Sequence, residues 1–433
     1  MFQILGSARM TDDTVLDAIT QFFCESAESD SFNGMTGAAL RSLVEDEETL
    51  KQDIIRLVIE GKITCVFQST SVNPHIKRLP DLTTEEQVEK LNQEKFGAFC
   101  AYPTSHIVKE SCDLSIWNNR PFSKQLMLVE PQLSFRAFDM GVLERYANDP
   151  RYIFRFEDYM GYMSISDDPF FDESFPERDK VSLRTFGLGF DDSHTPHTIV
   201  FLRYLAELSP EHQQYWNSYL VGASVKMSKP YFQASIQGEF WKNRSVRHAI
   251  MEELKVINEQ TNAIWGRSLF RELPVDEVPV GLTYFLRPTT ENFHRFILAL
   301  DKMLSENIDS KFFNQQIPLE RETTRSDGRV ELHRKGSIAL LEEWLLKEIS
   351  WNDTNEFKQV IIEPLRNVRK LRQAPAHKFT KDNFSIEYFD RRKKILWSVF
   401  NSLSNIRSTL GTHPEAKEIQ QPAWLDQDKI DVF

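Results

Sequence analysis

Three consecutive stretches in the last quarter of the chain space their apolar residues at helical intervals, and that repetition restricts the region to a packed helical bundle. Residues 337–349 (SIALLEEWLLKEI) make the first run. In 355–370 (NEFKQVIIEPLRNVRK), Phe357, Val360, Ile361, Leu365 and Val368 give one face of a helix an apolar surface. Residues 388–410 repeat the pattern with Phe389, Ile395, Leu396, Val399, Phe400, Leu403 and Ile406. An amphipathic helix must bury its apolar face against another element, so these runs are expected to pack together. Between the second and third lies LRQAPAHK, residues 371–378. Pro375 lacks a backbone donor and biases Ala374 away from helical geometry, so the chain should break or kink there.

The break carries chemistry. Arg372 is a permanent cation whose planar fork matches phosphate oxygens, and His377 is the side-chain type best suited to exchange protons near neutral pH. On one unbroken helix the two would point roughly 140° apart, whereas a kink can bring them to one surface. Ribose-assisted RNA cleavage needs such groups. The 2'-hydroxyl loses a proton, the 5'-oxygen gains one, and the charge on the five-coordinate phosphorus needs a fixed positive partner.

Arg372, the polar Gln373 and His377, followed by one more long helix, resemble the HEPN superfamily of helical ribonuclease domains. The resemblance covers only the C-terminal quarter. It implies that Arg372 binds and neutralises the scissile phosphate, that His377 is the acid or base, and that Gln373 orients one of them. In the family the residue after the arginine is often Asn, His or Asp, and Gln departs from that pattern. Family members cut RNA without metal and commonly dimerise so that two motifs form one cleft. The resemblance further implies a toxin or anti-phage defence role, with a regulatory protein or phage-derived trigger as a further partner.

Charge supports a polyanion near this motif. The chain as a whole carries −12, yet residues 331–413 hold 15 Lys and Arg against 10 Asp and Glu. Arg369, Lys370, Lys378, Arg391 and Arg392 are the residues expected to hold RNA there, while the acidic remainder suppresses nonspecific association. Arg407 and His413 form a looser arginine and histidine pair, but Gly411 and Pro414 mark a helix end, where cationic side chains satisfy terminal carbonyls.

At 433 residues the chain should hold two or three domains. It has no apolar run long enough to span a membrane and no secretory start, so a cytoplasmic location is expected. The four cysteines, Cys24, Cys65, Cys100 and Cys112, have no paired spacing and read as buried thiols, with no zinc site and no disulfide.

The expected fold is an α+β multidomain chain: a winged-helix-like domain at 1–120, a mixed α/β domain at 121–325 and a HEPN-like bundle at 326–433. In the first, helices at 14–27, 36–44 and 48–60 precede a strand at 62–68, with Gly61 ending the third helix and residues 73–78 available for a wing. Glu45, Asp46, Glu47 and Glu48 would repel phosphates at the start of the recognition helix, which favours a scaffold or protein-contact role over DNA reading. In the middle region, strands are expected at 151–156, 181–190 and 231–240, and helices at 198–208, 211–219, 245–265 and 290–305. The dense aromatics there, such as Tyr152, Tyr215 and Trp216, read as core. His194, His197 and His212 lack convincing metal-ligand spacing, and no phosphate-cradling glycine loop is present, so no metal or cofactor is expected. Residues 315–334 read as a polar linker.

Two functions fit: a metal-independent endoribonuclease acting as a homodimer through its C-terminal bundle, or a nonenzymatic winged-helix regulator with an inert dimerisation bundle.

Overall fold

The computed structural model describes residues 12–44, 46–222, 224–239, 244–271, 280–282, 285–324, 327, 329–373, 381–425 and 430–431. The chain is mixed α/β, with several sheets and a C-terminal helical region. It divides into two compact units, Met1–Arg155 with Met160–Tyr231, and Phe156–Tyr159 with Phe232–Phe433.

The first unit opens with α1 (Asp12–Glu28), β1 (Met35–Thr36), α2 (Gly37–Arg41), α3 (Glu47–Ile59), β2 (Ile63–Phe67), α4 (Thr84–Gln93) and β3 (Phe99–Pro103). Local chemistry sets the boundaries. Thr36 Oγ1 accepts from the Ala39 amide at 3.0 Å, and Asp46 caps the amides of Glu48 and Thr49. Gly61 takes a φ of 67°, a left-handed value that ends α3 without a Cβ clash. The sheet order is β1-β3-β2, all antiparallel, and Ile19, Leu40, Ile54, Leu57, Ile63 and Phe99 fill its core. Three helices and a strand were legible in sequence. The two-residue β1 is too short to show a period, and α4 stands between the second and third strands after the turns at 73–78.

The cysteine expectation is corrected here. Cys24 on α1 and Cys112, which caps α5 (Ser105–Ser111), form a disulfide between positions 88 residues apart. Both α1 and α5 pack against β3, a proximity that only the fold creates. Cys65 and Cys100 are buried thiols, and burial pushes both up, Cys100 to about 12.

After α6 (Pro121–Met127) comes a six-stranded sheet of β4 (Phe135–Phe138), β5 (Tyr152–Glu157), β6 (Met160–Ile165), β7 (Ser182–Asp191), β8 (Pro196–Phe201) and β9 (Val225–Met227). Its order is β4-β8-β7-β6-β5, with β9 also on β7, and α7 (Pro210–Asn217) precedes β9. Two readings change. The helix expected at 198–208 starts as β8 and becomes helical only at Leu202–Ala206, because Thr198, Ile199 and Val200 pair with β4. The strand expected at 231–240 is instead helical through Lys229–Phe232 and Gln233–Gln237, with Tyr231 fully buried and stacked on Phe201.

In the second unit, β10 (Arg244–Ser245) leads into α8 (Val246–Trp265), followed by α9 (Thr290–Met303), the antiparallel hairpin β11 (Glu320–Thr324) and β12 (Val330–Arg334), α10 (Ser337–Glu348), α11 (Glu363–Gln373) and α12 (Glu387–Leu410). A short β13 (Ile430–Asp431) pairs in parallel with β10. Helix α8 lies along α12, α9 packs on α11, and α11 packs on α12. The bundle thus takes α8 and α9 from the stretch that sequence assigned to a middle domain. The stretch expected as linker carries the hairpin, with β11 and β12 paired in register from Glu320–Arg334 to Thr324–Val330. No helix among the described residues is long and apolar enough to cross a membrane.

Candidate active site

Helix α11 buries Leu365 and Val368 and carries Arg366, Arg369 and Arg372 at three-residue intervals, so the three guanidinium groups rise along one side of the helix. Each meets a carboxylate. Arg366 bonds Glu342 and, at 2.9 Å, Glu363. Arg369 reaches Asp301 at 3.2 Å and donates to Ser305 Oγ at 2.7 Å. Arg372 donates through Nη1 to Asp301 Oδ2 at 2.6 Å and also to Glu306.

Asp301 organises this cluster. It sits on the buried face of α9 with Phe293, Phe296, Ile297 and Leu300, and its side chain is 1 % exposed. A carboxylate so placed must be fully hydrogen-bonded to stay charged. Two arginines and the Ser305 hydroxyl supply those bonds. The hydrogen bonds to Asp301 and then Glu306 hold the Arg372 guanidinium above its usual pKa. Both carboxylates take the same nitrogen. Among the described residues, Nε and Nη2 of Arg372 make no hydrogen bond, and the side chain remains 29 % exposed.

Gln373 and Lys370 are exposed at the end of α11. His377 and Lys378 lie outside the described residues. Arg391 is exposed at the start of α12, its guanidinium over the rings of Phe293 at 4.6 Å and Tyr388 at 5.6 Å. Arg392 requires a correction: at 1 % exposure it packs over Phe285 and Phe296 in the core and presents no surface to RNA. Alternation on a helix puts the neighbours of a four-residue basic run on different faces, and the run alone did not reveal which face was inside.

Arg407 also differs from its reading as a helix-end cation. It is buried between α8 and α12 and donates to the fully buried Glu253 at 2.7 Å. His413 differs as well: its ring accepts from the Glu415 amide at 3.2 Å and so caps the start of the short helix Pro414–Ala416.

Sequence reasoning missed Asp301, Ser305 and Glu306. The signal was an acid at a core position of an amphipathic helix, next to Leu300 and one turn after Ile297, which demands a buried cation from elsewhere.

A second polar cluster lies in the first unit. Trp216 Nε1 donates to Tyr146 Oη at 2.9 Å, Tyr146 Oη lies 2.8 Å from His212 Nδ1, and His212 Nε2 lies 3.1 Å from Asp179. The chain is satisfied in one tautomer, with Nδ1 accepting and Nε2 donating. All three rings are fully buried, which fits a structural network and leaves no approach for a substrate. His197 bonds Asp191 at 3.2 Å, and His194 occupies a turn with a φ of 61°.

Comparison of the chain with protein-family models, curated proteins and solved structures finds no match.

Proposed function

We propose that this chain is a HEPN-type endoribonuclease that cleaves RNA by attack of the 2'-hydroxyl, without metal, at a site built around Arg372 and His377. The observation that carries the reading is the Arg372 clamp. A cation at the last turn of α11, anchored by Asp301 and Glu306 through one nitrogen, keeps its other edge for two phosphate oxygens. A guanidinium fixed in advance stabilises developing charge without reorganising during the reaction.

The atoms balance without a further reactant. One histidine takes the 2'-hydroxyl proton as the O2'–P bond forms. A second group protonates O5' as the P–O5' bond breaks, leaving a 2',3'-cyclic phosphate and a 5'-hydroxyl. One motif supplies one such histidine, so two copies, joined through the bundle, complete the site. Gln373 orients a reacting group, and Arg369, Lys370, Lys378 and Arg391 steady the strand. A toxin or anti-phage role, with a protein or phage trigger acting through the remaining domains, follows from the family resemblance alone.

A second reading has an observation of its own. The order helix, strand, helix, helix, strand, helix, strand, with sheet order β1-β3-β2, supports a winged helix-turn-helix at the N-terminus. Helix α3 exposes Glu48, Thr49 and Gln52, and Arg56 on the same side pairs with Asp53 at 2.7 Å. An acidic recognition face favours docking a basic protein over gripping DNA.

The deciding experiment incubates purified protein with RNA in excess EDTA and identifies the ends produced. Cyclic phosphate ends, uncut DNA, and a fall of about 10² to 10⁴ in rate for His377→Ala support the nuclease. Normal cleavage by both His377→Ala and Arg372→Ala removes the motif from the mechanism and leaves the regulator. Partial recovery on mixing the two variants supports a composite site.

A further inference from the structure

The hairpin β11–β12 stands out because all five residues of β11, and Val330, Leu332, His333 and Arg334 of β12, are exposed. A two-stranded ribbon is marginal in water by itself, and its outer edges are templates for another strand. Val330 and Leu332, 59 % and 63 % exposed, share one face with Arg334.

Hydrogen bonding fixes which groups are available. Lys335 N donates to Leu319 O at 2.9 Å, and the register pairs Glu320 with Arg334 and Glu322 with Leu332. In an antiparallel ladder, bonded and non-bonded pairs alternate. Arg321–His333 and Thr323–Glu331 are therefore bonded pairs that turn their polar groups inward. Val330, Leu332 and Arg334 turn theirs to the open edge.

We infer that β12 pairs antiparallel with β12 of a second copy about a two-fold axis at Leu332, making a four-stranded sheet. Centred there, the edge-facing groups of Val330, Leu332 and Arg334 meet their counterparts, whereas a one-residue slip places inward-facing groups at the junction. The side chains agree with that register. Leu332 meets Leu332 of the other copy, and Val330 meets the aliphatic stem of Arg334, whose guanidinium donates to Ser310 Oγ at 3.1 Å, while Glu331 and His333, 3.4 Å apart within their own strand, bring that pair opposite its counterpart in the other copy. Both apolar pairs fall on one face of the new sheet. This contact places the dimer interface on the unit that holds the bundle and stands whether or not the bundle cuts RNA.

The test uses the full chain and light scattering across a dilution series. Wild-type protein should be dimeric. Leu332→Glu, which sets two like charges at the axis on an exposed position, should weaken the dimer at least tenfold without changing the circular dichroism spectrum. Register is read by mixing Glu331→Cys chains with His333→Cys chains under mild oxidation. The mixture should form a covalent dimer faster than either variant alone. A monomeric wild type, or a dimer indifferent to Leu332→Glu, overturns the proposal.

Discussion

Asp301→Asn removes the charge that ties α9 to α11 while keeping the shape of the side chain. Asp301 is 1 % exposed and receives Arg369, Arg372 and Ser305. Removing one member of a buried ion pair costs about 3–5 kcal/mol when the remaining charge is trapped. Here the arginines left behind are 30 % and 29 % exposed, and they keep Ser305 and Glu306, so water and those partners recover part of the loss. The expected cost is about 2–3 kcal/mol, placed between the buried limit and the surface limit. Hydrogen exchange in 290–306 and 363–373 measures it directly, because a chain with two units does not unfold in one transition. Exchange limited by opening of this contact should accelerate about 30- to 150-fold. Glu306→Gln is the contrast: its side chain is 38 % exposed, and loss of such a surface pair should cost under about 1 kcal/mol. Under the nuclease reading both substitutions free Arg372 to move and should slow cleavage, Asp301→Asn by up to about 10²-fold. Protection unchanged within a factor of three in Asp301→Asn would refute the claim that this carboxylate holds the two helices together.

The Glu253–Arg407 pair inside the bundle makes a sharper stability prediction: Arg407→Ala removes the cation from beside a fully buried carboxylate and should cost about 3–5 kcal/mol, read as a lower thermal midpoint of the second unit. His212 predicts a pH dependence in the first unit. Burial lowers its pKa from 6.5, so the unfolded chain takes up a proton before the folded one does, and stability present above 6.5 is lost as pH falls below it. His212→Gln should flatten that acid-side loss in urea titrations, and an unchanged slope would remove His212 as its source. RNA binding should depend on salt in proportion to the contacts proposed. With Arg369, Lys370, Lys378, Arg391 and the open edge of Arg372 of one copy as the contacts, about five phosphates are neutralised and the log–log slope is roughly −3.5 for a single strand, or about −7 when both copies engage it; a slope near zero contradicts that set.

Helix existence was legible wherever one face of a run was apolar over several turns. Helices α8, α9, α10 and α12 all match expected runs, and 355–370 is helical throughout as Thr354–Phe357, Lys358–Ile362 and Glu363–Gln373. Strands were less legible. β8 is buried at every residue, so it lacks the alternation that separates a half-exposed strand from a helix. The residues at 231–240 carried strand-like aromatics, yet Tyr231 finds its burial from a helical turn against Phe201. Propensity at such positions yields to packing.

Arg372 was singled out from its chain position, but the carboxylates that hold it were not. Asp301 lies 71 residues away, and nothing local connects a core acid on one helix to the arginine stripe on another. The basic character of the region was also overestimated from sequence. Counting charges treats each cation as free, whereas Arg366, Arg369 and Arg372 all meet carboxylates and Arg392 is buried against rings. The same limit hid the disulfide, since Cys24 and Cys112 approach each other only through their shared neighbour β3.

That neutralisation bears on why the proposed nuclease needs two chains. Within one copy, Arg369 and Arg372 oppose Asp301 and Glu306, so the pair of arginines brings almost no net positive field to an approaching phosphate. What the cluster does supply is direction, a guanidinium edge held in place. A five-coordinate phosphorus gains a further negative charge, and a clamp of zero net charge stabilises it only through short hydrogen bonds. Bringing a second Arg372 to the same phosphate doubles those directed bonds, and the second His377 supplies proton transfer on the opposite side of the in-line path. A neutral clamp also binds RNA weakly at rest, so an isolated chain would be a poor nuclease. On this reading, association of two copies is the step that makes the site competent, and whatever controls that association controls the activity.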